Sequence, residues 1–213
     1  GLIKSGPGLL ILSAANAYRS DTTVTEGTLQ IAGAGSLGTG DYAGNITNNA
    51  TFLYSSSADQ NLSGVISGSG SLTKDTDSAS TLTLSGANSY TGDTTVSAGT
   101  LILDDAAEVP GQLKFIITGT GETTNSNKIT GAGTVQLDGE FIFDMAAAGD
   151  TMGDTWTIVD VDTLAAAIFG ETFTLVDFTG GEGAGVLWSK PITSSKIYEF
   201  SEATGILKVK LAL

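Results

Sequence analysis

The stretch SLTKDTDSASTLTLSGANSYTGDTTVSAGTLIL, residues 71–103, is written twice in this chain, first as GLIKSGPGLLILSAANAYRSDTTVTEGTLQI, residues 1–31. In alignment Leu10 and Leu12 fall on Leu82 and Leu84, and Asn16 and Tyr18 on Asn88 and Tyr90. Asp21-Thr22-Thr23-Val24 meets Asp93-Thr94-Thr95-Val96, and Gly27-Thr28-Leu29 meets Gly99-Thr100-Leu101. The offset is constant, 88 − 16 = 72 and 101 − 29 = 72. Only at the start do Leu2 and Lys4 meet Leu72 and Lys74 two residues early, so the second copy gains two residues in the loop holding Asp75 and Asp77. Self-similarity on this scale is the mark of stacked structural units.

From Gly1 to about Gly139 the chain is a succession of short runs in which Leu, Ile, Val, Phe or Tyr alternates with small or polar residues, broken by Gly, Ser, Asn and Asp. Period two is the signature of half-buried strands. A second echo, Ile66-x-Gly68-x-Gly70-x-Leu72 against Ile129-x-Gly131-x-Gly133-x-Val135, has a different spacing. Varying coil length with constant turn chemistry suits a solenoid that expels insertions into loops. Dividing the long repeat into three predicts coils of roughly 24 residues. About six coils then precede Gly139, rising on the order of 28 Å at the usual strand spacing. Leu, Ile and Val are expected inside, Thr and Ser outside. Asn48, Asn49, Asn61 and Asn88 are expected to shape corners.

The pattern Leu-x-Lys, then Leu-Thr-Leu-Ser-Gly-Ala-Asn-Ser-Tyr-Thr-Gly-Asp-Thr-Thr-Val and Gly-Thr-Leu, resembles the autotransporter-associated β-strand repeat of bacterial surface and secreted passenger proteins. The second copy follows it closely; the first departs where Ala14, Arg19 and Ser20 stand in place of Gly86, Thr91 and Gly92. The resemblance covers residues 1 to 103 well and 104 to 138 loosely, and the last third is similar to the end segments of long repeat proteins of this type. It implies an extracellular or cell-surface, all-β protein, a right-handed parallel β-helix, and no single activity.

At Val135-Gln-Leu-Asp138-Gly139-Glu-Phe-Ile-Phe143 the texture changes. Asp-Gly between alternating apolar residues predicts a hairpin, which sets a boundary between a repeat region, 1–138, and a C-terminal antiparallel β domain, 139–213, forming a small cap or sandwich. Strands are expected at 155–160, 172–178, 186–188, 197–200 and 206–213. Asp162-Thr-Leu-Ala-Ala-Ala-Ile-Phe169, stopped by Gly170, reads as one short helix.

Composition restricts function. Lys+Arg is 9 against Asp+Glu 23, a net charge of −14, which disfavours nucleic acid and anionic membrane as partners. No run reaches the length of a membrane-spanning helix, so membrane insertion is not expected. Gly1 enters directly into a repeat, which predicts a processed product or a fragment whose export signal lies elsewhere. Without histidine or cysteine there is no Ser-His-Asp triad, thiol nucleophile or cysteine zinc site. A polysaccharide-degrading enzyme would have to use Asp104/Asp105, Asp75/Asp77 or Asp160/Asp162, and adjacent strand residues such as Asp104 and Asp105 face opposite ways. No catalytic residue and no cofactor is therefore expected; loop aspartates would suit calcium, but Gly180-Gly-Glu-Gly-Ala-Gly185 lacks the aspartate of a calcium repeat.

What remains is structure or binding. A β-helix end exposes strand edges that recruit another strand. Leu2 and Ile3 at one terminus and Leu207, Val209, Leu211 and Leu213 at the other form the candidate assembly interface. The chain is expected either to continue a longer solenoid or to pair with itself, head to tail, into filaments. The rival is an adhesin whose C-terminal tip stacks surface glycans on Trp156 or Trp188.

Overall fold

The alternating runs become short strands, and their pairing partners lie about one coil away along the chain. The computed structural model describes residues 1–75, 80–103, 112–119, 127–162, 169–170, 172–180 and 186–212. Among them three parallel stacks run side by side, and the chain visits them in turn. The first face starts with Leu2–Lys4, Thr22–Val24, Ile46–Asn48 and Ile66–Ser67. The bridge Ala87↔Gln112 carries it into Gln112–Gly119, Glu140–Ala148 and Thr174–Leu175. The second face holds Leu9–Leu12, Thr28–Gly33, Thr51–Ser56, Ser71–Asp75, Thr94–Ala98, Ile129–Gly131 and Val159–Val161. The third holds Asp41–Tyr42, Gln60–Leu62, Thr81–Leu84, Thr100–Leu103 and Thr134–Leu137, and the short pair Ala15–Asn16 and Ser36–Leu37 lies before it in the chain's circuit.

Inward residues stack on their equivalents in the next coil. Leu29, Phe52 and Leu72 share one register, Leu82, Leu101 and Val135 another, and all are buried. Each such side chain contributes roughly 1.5–3 kcal/mol on leaving water. The outward positions between them are largely Thr, Ser, Gln and Asn, as the alternation predicts.

The 72-residue offset is not a whole number of coils. Three coils on from Leu10 the register runs through Leu29 and Phe52 to Leu72, whereas the sequence equivalent of Leu10 is Leu82. Leu10 lies on the second face and Leu82 on the third; Thr22 lies on the first and Thr94 on the second. The repeat therefore advances by three coils and one face. Uniform coils are also not found: Lys128 bonds back to Asp93 over 35 residues, Asn45 to Asp21 over 24 and Val65 to Asn45 over 20.

Two further corrections concern the second half. Asp138-Gly139 is a corner, not a hairpin: Leu137 pairs in parallel with Leu103, and Glu140 in parallel with Gln112. Both flanking strands find partners one coil back, so the turn need not bring them together. The parallel stack consequently runs past 139 to Val159–Val161 and Thr174–Leu175. The antiparallel part is one five-stranded sheet, in the order Thr155–Thr157, Ile206–Leu211, Lys196–Ser201, Leu187–Pro191, Thr179–Gly180. The expected helix at 162–169 lies almost wholly outside the described residues.

Candidate assembly interface

The corners are built by side chains from the repeat. Asp21 Oδ1 accepts the Asn45 amide at 2.9 Å, Asn45 Oδ1 accepts that of Val65 at 3.0 Å, and Asp93, the equivalent of Asp21, accepts that of Lys128 at 3.0 Å. Each coil is thereby pinned to the next at a bend, where the sheet ladder cannot do it. Asn16 and Asn88 each donate to a carbonyl two residues back, Ala14 O at 2.6 Å and Gly86 O at 2.9 Å. Tyr18 and Tyr90 each hydrogen-bond the hydroxyl of the threonine four residues on, Thr22 at 2.9 Å and Thr94 at 2.6 Å. Thr22 also meets the Tyr42 hydroxyl at 2.8 Å. Burial pushes the Tyr90 hydroxyl pKa upward and that of Tyr42 to about 12, the latter helped by neighbouring Tyr18 and Asp21.

Lys4 and Lys74 are buried as strand-end residues. Lys4 Nζ donates to Gly6 O at 2.6 Å and Glu26 O at 2.9 Å, and Lys74 Nζ to Ser80 Oγ at 2.9 Å, 5.7 Å from the centre of the Tyr54 ring. Both fasten the next corner. Of the corner asparagines, Asn48, Asn49 and Asn88 accept backbone amides, but Asn61 sits in a strand and joins Asp41 to Ser85 across three coils.

Both copies match the passenger-associated-transport-repeat. The family model covers residues 2–31 and 77–103. The repeat is one of autotransporter passengers, which implies a secreted or cell-surface protein. No curated protein and no solved structure matches the chain.

The first coil of the repeat region is less filled than those that follow it. Leu2, Leu10 and Leu12 in its first coil are only partly buried, packed against the core from one side. On the outward positions of the same coil stand Ile3, Leu9 and Ile11, at 74%, 56% and 50% exposure. Their neighbours one coil on are Thr23, Thr28 and Gln30. Among the described strands of the parallel stack, strongly exposed large aliphatic side chains occur only in this first coil.

The other end is different. Trp188, Phe200, Leu207 and Trp156 form one cross-strand row of the antiparallel sheet. Phe200 lies 6.2, 5.5 and 5.9 Å from Phe141, Phe143 and Phe169 at the end of the parallel stack, and Trp156 Nε1 donates to Thr118 O at 2.9 Å. Trp188, partly buried, packs on Phe173 at 5.8 Å and donates to Glu202 at 2.8 Å.

Of the residues expected to assemble, Leu2 and Ile3 lie in the first coil, Leu2 partly buried and Ile3 exposed. Leu207 and Val209 are buried in a strand flanked on both sides, and Leu211 alone of that strand is strongly exposed. Apolar alternation cannot distinguish a central strand from an edge one, which is why sequence placed them outside. Leu213, Asp77, Asp104 and Asp105 lie outside the described residues. Asp75 accepts from Ser55 Oγ on the outer surface, and Asp160 and Asp162 are exposed. The missed signal was in Leu9 and Ile11: their alternation partners Leu10 and Leu12 are apolar too, which no later second-face strand repeats in full.

Proposed function

We propose that this chain is a non-catalytic structural rod of the bacterial cell surface or matrix, requiring no cofactor, with the antiparallel sheet as its cap. The observation that supports this most is the filled parallel stack, whose inward residues form one continuous core, overlaid at one end by an aromatic layer at Phe141–Phe200. Rigidity and repetition do the work. Head-to-tail growth through both terminal strands loses most of its second edge, because residues 206–209 of Ile206–Leu211 are already bonded on either side. An adhesive tip would need an aromatic platform facing solvent, and both indoles are turned to neighbouring aromatic or backbone partners.

Electron microscopy of material released from the cell surface, with antibody labelling of intact cells, tests the reading. Surface label and straight rods are expected; label confined to the cell interior, or compact globular particles, would overturn it.

A further inference from the structure

The outer face of the antiparallel sheet differs in charge from the rest of the molecule. It is made of the residues that alternate with the inward row of Trp188, Phe200, Leu207 and Trp156. Ser189, Glu199, Lys208 and Thr155 form one cross-strand row of it, Leu187, Ser201, Ile206 and Thr157 the next, and Pro191, Ile197 and Lys210 a third. These rows hold one carboxylate, Glu199, buried between the ammonium groups of Lys208 and Lys210, whose own side chains stay 44% and 31% exposed. Each ammonium has three donors and gives one to Glu199, so the face keeps one positive charge in excess beside the exposed Leu187. An antiparallel sheet packed on one side ordinarily turns a polar face to water. Cations and aliphatic groups together there fit a partner that is acidic and partly apolar.

The coils of the same chain present such a surface. Residues 186–213 carry four lysines and two glutamates, a net charge of +2, whereas residues 1–185 carry five bases and 21 carboxylates, a net charge of −16. Between Arg19 and Lys114 there are ten carboxylates and one base, Lys74, which is fully buried. Three of those acids line the corner where the second face passes to the third, in three consecutive coils. Asp41 opens Asp41–Tyr42, Asp59 precedes Gln60–Leu62 and Asp75 ends Ser71–Asp75. All three are exposed, and each accepts one hydrogen bond from the coils: from Asn61 Nδ2 at 3.2 Å, from the Thr81 amide at 2.8 Å and from Ser55 Oγ. Among the described residues no cation pairs with them. Stacked coils set such carboxylates at intervals of about 5 Å, and Lys208 and Lys210, two residues apart on one strand, stand about 7 Å apart. Beside this ridge Leu53 is an outward aliphatic residue, half-buried, in register with Gln30 and Thr73.

We propose that a second copy of this chain docks its Asp41–Asp59–Asp75 corner on the outer face of the antiparallel sheet, with Lys208 and Lys210 against the carboxylates and Leu187 against Leu53 of the partner subunit. The contact goes beyond the rod reading and joins one rod to the next. It uses a sheet face and a corner, so it needs no unpaired strand edge. Because the two patches differ, the contact is heterologous, and each docked copy still offers one patch of its own to a further neighbour.

Light scattering of the 213-residue chain is expected to give a mass above 21.5 kDa in about 0.01 M salt and the single mass in about 1 M salt, where screening acts within about 3 Å. Carbodiimide coupling in an equal mixture of ordinary and nitrogen-15-labelled chains should join Lys208 or Lys210 to Asp41, Asp59 or Asp75 in peptides of mixed isotopic mass. Lys114, exposed to a similar degree, should join few carboxylates between copies. The triple variant Asp41→Asn, Asp59→Asn, Asp75→Asn keeps every accepting oxygen, so its far-ultraviolet circular dichroism should be unchanged while association weakens about tenfold. Leu187→Asp, which puts an acid on the sheet face without touching the Glu199 pairs, should weaken it likewise. A single-copy mass at every concentration in low salt overturns the proposal. So does association that high salt leaves intact, coupling spread evenly over the carboxylates, or a triple variant that associates as tightly as the parent. The scattering profile in high salt keeps the two readings apart: an elongated monomer retains the rod even where copies do not dock, and a compact one removes the rod itself.

Discussion

Glu199 is 4% exposed, held between Lys208 at 3.2 Å and Lys210 at 2.6 Å on the outer side of the antiparallel sheet. Burial alone would raise its pKa, but hydrogen bonds from Lys210 and Lys208 outweigh it and hold the carboxyl below its ordinary value. A glutamate depressed in the folded state and near 4.3 when unfolded contributes stability above the unfolded value and loses it as pH falls through the folded one. Acid should therefore loosen this sheet. Glu199→Gln is expected to cost about 1–3 kcal/mol at pH 7 by leaving two cations without their acceptor. Urea titrations followed by tryptophan fluorescence at neutral and at strongly acidic pH check the sign: the gap between variant and parent must shrink in acid. A constant gap would mean that the carboxylate charge is not what holds the strands.

At the scale of the element, the unit that repeats is a strand, a corner and a strand. Its internal bonds are reproduced in both copies although the copies occupy different faces: Tyr18 to Thr22 and Tyr90 to Thr94, Asn16 to Ala14 and Asn88 to Gly86. The second tyrosine is the more consequential. Tyr90 and Thr94 are both buried, at 2% and 4% exposure, whereas Thr22 keeps the Tyr42 hydroxyl when Tyr18 is altered. Tyr90→Phe should cost about 1–2 kcal/mol and Tyr18→Phe less than about 0.5 kcal/mol, measured as the shift in urea midpoint at constant slope. Equal losses would show that the corner bond is not the stabilising part. Such local chemistry is what sequence can display, and the strands, the inward residues and the corner roles of Asn49 and Asn88 were legible for that reason, whereas Asn61 lies within a strand. The face each copy occupies was not legible, because it depends on how many residues each intervening coil absorbs, 24 from Asp21 to Asn45 against 20 from Asn45 to Val65. Asp138-Gly139 misled for a related reason: the same dipeptide closes a hairpin or turns a corner according to which strands lie beside it. The burial of Leu207 and Val209 was not legible, since it depends on strand order.

Across the whole molecule the question is whether the parallel stack and the antiparallel sheet behave as one body. Their contact is a set of rings: Phe200 from the sheet against Phe141, Phe143 and Phe169 from the last coils, and Trp188 against Phe173. A solenoid is held by neighbour contacts alone, so its coils unfold together only while each interface is strong relative to the coil's own stability. Phe200 is fully buried in that interface, and Phe200→Ala removes a ring whose space the surrounding rings cannot all refill, at a cost of about 3–5 kcal/mol. Both tryptophans, Trp156 and Trp188, belong to the antiparallel sheet, whereas circular dichroism is dominated by the coils. In the parent chain the two signals should change together on adding urea. In Phe200→Ala the tryptophan signal should change first, leaving the coils to unfold in a second step with their inner aromatic residues newly wet. Coincident transitions in the variant would instead place the coupling in the backbone continuity between Thr155–Thr157 and Val159–Val161, where one strand of each sheet runs into the other through Ile158, itself fully buried and bonded by its amide to Gly205 O at 2.8 Å.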